Sequence, residues 1–226
     1  QSRFVVEWYS TIRSGAALGG DMDKSKKMVK RNIPIAALSA MLLVLSACGS
    51  APPAPEDNYY RLQATFAGSN MTNPLPGSIE IDRFVADGLT SERGLVYSDA
   101  RTPNQVKAYH FHFWIKPPTV MVRDELVSFL REARVAKAVV TPELRVDADY
   151  VLTGKIEHLE QVTGQSERTV MEIELGLRSA RDGKLMFLKT YRQENASAKG
   201  VAAAVDSLNT ALSIVFADFV SDLSKR

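Results

Sequence analysis

The chain has 226 residues, 45% of them apolar and 24% charged, and its 28 Lys and Arg against 26 Asp and Glu give a formal net charge of +2. That near balance excludes the basic footprint of a nucleic-acid binder. The length allows a well-buried core, and one cysteine excludes an internal disulfide framework, so stability must come from burial.

Residues 1–21 fit neither a leader nor a globular domain and read as an upstream extension, expected to be disordered; Met22 or Met28 is a better start for the export leader. Residues 22–47 have the three-part layout of such a leader. Lys24, Lys26, Lys27, Lys30 and Arg31 form a basic segment, residues 33–45 an apolar run, and Ser46-Ala47 a small-residue site before Cys48. The run is too short for a membrane span, which takes about 20 apolar residues.

Leu45-Ser46-Ala47-Cys48 resembles the bacterial lipobox. The resemblance implies that Leu45, Ser46 and Ala47 are read by a signal peptidase and that Cys48 receives a diacylglyceryl group before cleavage and a further acyl chain, such as palmitate, afterwards. Small residues let the peptide lie extended in a narrow cleft, and a thiolate is the nucleophile that attacks a lipid donor near neutral pH. Removing the seven basic and three acidic residues before Cys48 leaves 21 basic and 23 acidic ones, so the exported part is slightly acidic. Residues 48–57, rich in Pro and Ala, read as a tether reaching at most about 30 Å. Gly49, at the second position of the mature chain, favours the outer membrane in the sorting scheme that the lipobox implies.

A single globular domain is expected over residues 58–226. Strands are predicted at 59–63, 78–84, 95–97 and 105–114, with the Asn-Pro-Leu-Pro-Gly of 73–77 as a turn. Ile79, Ile81 and Phe84 are expected inward. Pro117-Pro118 opens a helix whose Val122, Leu126, Phe129, Leu130 and Ala133 share one face. A short buried strand at 138–140 precedes three alternating segments. Tyr150, Leu152 and Ile156 line the first of these, Met171, Ile173, Leu175 and Leu177 the second, and residues 184–192 form the third after the hairpin signal Asp182-Gly183. A closing helix carries Val201, Val205, Leu208, Leu212, Val215, Phe216, Phe219 and Leu223 as one wide stripe. The predicted class is α+β: a mostly antiparallel sheet with two long amphipathic helices packed on one face.

No catalytic residue, metal site or cofactor motif is assigned. His110 and His112 share a strand face with Trp114, but zinc takes three or four ligands and the remaining histidine is His158. Asp147 with Asp149, and Glu172 with Glu174, are spaced as solvated carboxylates. Tyr109, Phe111, Phe113 and Ile115 fall on the strand's other face. One face suits the core, and the second is left for a helix, a partner or a lipid.

Taken together, the chain resembles the ABC-type transport auxiliary lipoproteins, the PqiC-like family. The resemblance is carried by Tyr59-Tyr60-Arg61-Leu62, by Arg93 ahead of Leu95-Val96-Tyr97, and by Tyr109 leading to Trp114 and Pro117. Asp149-Tyr150-Val151-Leu152 and the alanine-rich closing helix complete it. Ser91-Glu92 departs from the family's usual Leu-Asp. The resemblance implies a non-enzymatic outer-membrane lipoprotein of a Gram-negative bacterium, held to the membrane by its acyl anchor and facing the periplasm. Its implied partner is an MCE-domain protein with its ABC transporter complex, in lipid transport; a homo-oligomer is compatible with such a domain. A structural or assembly lipoprotein unrelated to transport would share the anchor and the domain.

Overall fold

The computed structural model describes residues 54–225. Among these, nine strands and two long helices occur in the order β1 (Asn58–Tyr60), β2 (Leu75–Ile81), β3 (Val85–Ala86), β4 (Gly94–Asp99), β5 (Thr102–Trp114), α1 (Pro118–Glu132), β6 (Ala136–Val140), β7 (Tyr150–Thr163), β8 (Arg168–Ser179), β9 (Leu185–Ala196) and α2 (Val201–Ser224). The order agrees with expectation apart from the two-residue β3.

The sheet is organised around β7. One of its edges holds β8 antiparallel from Tyr150 opposite Ser179 to Val162 opposite Arg168, and β9 continues from β8 across the Asp182-Gly183 turn. The other edge takes three parallel partners end to end: β2 at Tyr150 to Leu152, β3 at Lys155 and Ile156, and β4 at Glu160 to Thr163. The sheet therefore forks, with β2 leading to β6 and β4 leading to β5 and β1. This corrects the expected mostly antiparallel sheet. The pairs β1–β5, β2–β6, β2–β7, β3–β7 and β4–β7 are parallel, and only β4–β5, β7–β8 and β8–β9 are antiparallel. Parallel neighbours are joined by long connections, here the whole span from β2 through α1 to β6, and no local turn signal marks such a pairing.

The core forms where the periodicities place it. On α1, Val122, Leu126, Phe129 and Leu130 are buried, with Ala133 at its C-cap, as are Ile79, Ile81 and Phe84 and the inward set Met171, Ile173, Leu175 and Leu177 of β8. The α2 stripe from Val205 to Leu223 joins the same core, and Val201 is half-buried at its start. Phe216 meets Phe129 of α1 edge to face with ring centroids 5.5 Å apart, and Phe219 lies 5.7 Å from Phe187 of β9. α2 is long and apolar enough to cross a membrane, but that stripe is spent against β8 and β9.

Two local expectations change. Residues 75–77, read as a turn, belong to β2, where Gly77 (φ +97°) absorbs a register shift between Leu75 and Ser78. Strand β1 ends at Tyr60, and the chain then runs over the helix pair. The backbone N–H groups of Gln63 and Thr65 donate to Asn209 Oδ1 and Ser213 Oγ of α2, each at 2.9 Å, and that of Ala64 to Glu125 Oε2 of α1 at 2.8 Å.

Candidate functional site

Leu45, Ser46, Ala47 and Cys48, together with the expected upstream extension and leader, lie outside the described residues. Residues 54–57, the end of the expected tether, are exposed and without regular structure, and they run directly into β1. In the parallel register Asn58 faces His112, Tyr59 faces Phe113 and Tyr60 faces Trp114. Residues 54–57 thus lead into an aromatic-rich edge of the sheet. There Tyr59 is 55% exposed, Phe111 42% and Ile115 39%, while Trp114 is fully buried beneath them. The Arg93 guanidinium lies 5.7 Å from the Tyr59 ring centre, and its Nε donates to the Trp114 carbonyl at 3.0 Å. β1 covers only residues 112–114, so among the described residues no strand pairs with that edge of β5 from 102 to 111.

The predicted two faces of β5 do not stay separate. Gly94 pairs with Phe113 but Val96 pairs with Ala108, so the intervening residues of β5 bulge and the alternation fails there. Tyr109 and His112, expected on opposite faces, meet edge to face at 5.4 Å, and His112 Nδ1 is 3.0 Å from the Tyr60 hydroxyl. Tyr109 also stacks on Tyr97 at 4.3 Å and donates its hydroxyl to Gln161 Oε1 at 3.0 Å. Gln161, buried on β7, passes the chain on through Nε2 to Glu167 at 3.0 Å. Burial pushes the Tyr109 phenol up. Sequence reasoning passed over Gln161, because a polar residue beyond the Ile156–His158 register shift carries no burial signal.

His158 faces Glu160 at 3.3 Å, and among the described residues no group of three or more His, Cys, Asp or Glu is placed to hold a metal. The carboxylate pairs are occupied elsewhere. The Ser78 N–H and hydroxyl, both donating to Asp149 Oδ2, hold the Asp149 carboxyl below its usual range, and Glu172 is paired with Arg192. Arg101 beside Asp99 lowers that carboxyl to about 2. Each displaced carboxyl moves down, the direction of a carboxylate held by donors rather than of an acid kept protonated.

A second feature lies where the segment after β1 crosses the helices. Between residues 65–72 and the outer side of α2 is a cavity of about 570 Å³ with Phe66, Met71, Phe129, Ile214 and Val220 as its apolar lining. Phe66 is set edge to face on Phe129 at 5.2 Å, which fixes the inner wall.

Two solved structures share this fold. A protein from Xanthomonas campestris, XCC0632, aligns at a TM-score of 0.65 with 18% identity over 74% of this chain and 95% of its own. The crystal structure of an uncharacterized protein aligns at 0.58 with 14% identity, over 75% and 99% respectively. No curated protein matches the chain. The family described as "ABC-type transport auxiliary lipoprotein component" matches residues 60–219, from the end of β1 to the last turns of α2. With most of its length so matched, and with the strands and helices that carry the sequence resemblance in place, the chain belongs to the ABC-type transport auxiliary lipoprotein family.

Proposed function

We infer that this protein is a non-catalytic lipoprotein of an envelope lipid transport system. Cys48 carries its acyl anchor in the outer membrane, and its domain docks an MCE-domain protein and the attached ABC transporter complex in the periplasm. The observation that carries this reading is the family match across residues 60–219. The exposed apolar edge of Tyr59, Phe111 and Ile115, where the tether meets the sheet, supports it as a contact surface held near the membrane. An anchor of that kind confines the domain to a thin layer and raises its effective concentration for a partner that spans the periplasm.

The test is affinity purification of the full chain from native membranes, with and without Cys48→Ala. Recovery of an MCE-domain protein, an ABC permease and its ATPase is expected with the wild type. The variant should lose lipid labelling and remain as unprocessed precursor. Recovery of envelope-assembly proteins in their place overturns the transport role, and unchanged processing of the variant overturns the anchor.

A further inference from the structure

No charged side chain lines the cavity between residues 65–72 and α2, in a chain that is 24% charged. Its floor is carbon, from Phe66, Met71, Phe129, Ile214 and Val220, and its rim is hydroxyl, including Thr210, Ser221 and Ser224. We propose that this groove holds one acyl chain of a phospholipid, with the ester end at the hydroxyl rim and the charged headgroup outside.

Three quantities choose that occupant. The α2 residues of the groove run from Thr210 to Ser224. Fourteen steps of an α-helix span about 21 Å. A single acyl chain fills half of a hydrocarbon core about 30 Å thick, so it is about 15 Å long and fits within that span. The volume of about 570 Å³ lies within the range of small-molecule sites. A docked helix is about 10–12 Å across and would seat only one edge here, leaving most of its surface outside. An extended peptide fits no better, because its amides would be buried against carbon without partners, whereas an acyl chain brings no polar atoms. A free fatty acid would find no cation for its carboxylate along the lining, which leaves an esterified chain.

The groove is also built before any ligand arrives. Its loop wall is tied near both ends, by the Thr65 N–H to Ser213 Oγ at 2.9 Å and by the Met71 N–H to the Ala133 carbonyl at 2.8 Å. Little ordering is left for the ligand to impose. The inference deepens the docking role above and rests on that reading only for the source of the lipid.

The experiment reconstitutes the full chain in vesicles of phosphatidylethanolamine and phosphatidylglycerol, doped with a phospholipid bearing a diazirine in one acyl chain. Irradiation is followed by peptide mapping. Adducts are expected on residues 65–72 and on the α2 face around Ile214 and Ala217. Ala217 is exposed, so Ala217→Trp and Ala217→Asp reach into the groove without entering the core. Both should keep the wild-type circular dichroism and lose at least about tenfold in these adducts, equivalent to about 1.4 kcal/mol. Labelling beside the membrane anchor should stay unchanged. Adducts absent from both segments, or adducts equal in the wild type and both variants, would overturn the proposal. Wild-type chain that captures the MCE partner but shows no groove adducts defeats the acyl site alone. Groove adducts without any such partner defeat the transport role and leave the site standing.

Discussion

Gly154 of β7 lies under the ring of Phe84. A Cβ added there would stand 2.3 Å from Phe84 Cζ and 2.4 Å from Cε2, and Phe84 is itself buried with little room to turn. Gly154→Ala should therefore destabilise the protein by about 1–3 kcal/mol, read as a lower urea midpoint at unchanged slope. Combining it with Phe84→Leu should restore part of the loss, since the two residues share one contact. An unchanged midpoint in the single variant would mean that Phe84 does not sit on β7. Gly77 is constrained twice, by its φ of +97° and by Asp149 Oδ2 standing 2.1 Å from where a Cβ would be. The inward setting of Phe84 was expected from its apolar side chain, although it falls out of phase with Ile79 and Ile81 and lies past the end of β2. Its glycine partner was not, because the two meet only once β2 and β3 lie beside β7.

The last turns of α2 are fastened to the edge strand β9 by charge. Asp222 accepts from Lys189 Nζ at 2.6 Å and from the Tyr191 hydroxyl at 3.0 Å on β9, and from Lys225 Nζ at 3.2 Å at the helix end. Lys189 above all lowers the Asp222 carboxyl to about 2, from an ordinary 3.8. A carboxyl depressed in the folded state contributes stability above its unfolded pKa and loses it as the pH falls toward the folded one. The contribution is thus complete above about pH 4 and fades toward about pH 2. Lys189 is 49% exposed, so solvent screening limits the pair to less than about 1 kcal/mol. Thermal melts monitored by circular dichroism should show Asp222→Asn less stable than wild type near neutrality and converging with it in that acid window. Parallel pH profiles for the two would contradict the tie. At this scale the helices themselves were open to sequence reading, since Val122 to Ala133 and Val205 to Leu223 repeat at helical spacing. The Asp222 tie was not, because its partners on β9 depend on how α2 is laid across the sheet.

Across the described residues, β7 and β8 each have hydrogen-bonded neighbours along both edges, whereas β5 has one edge open from 102 to 111. Amide hydrogen exchange should be slowest in β7 and the inward half of β8, and at least about tenfold faster at residues 102–107. Equal protection of the two regions would show that the open edge of β5 is covered in solution. Local pattern determined a great deal of this protein by itself: where the helices start, which side chains of β2, β7 and β8 turn inward, and the Asp182-Gly183 hairpin. It also carried the family resemblance. Only the tertiary structure decided the forked, mixed sheet, the meeting of Tyr109 with His112 and Gln161, and the uncharged groove beside α2. The reason is that an alternating strand reads the same beside a parallel or an antiparallel neighbour. Its pattern states which face is buried, while the choice of partner is made by hydrogen bonds and packing between segments far apart in the chain.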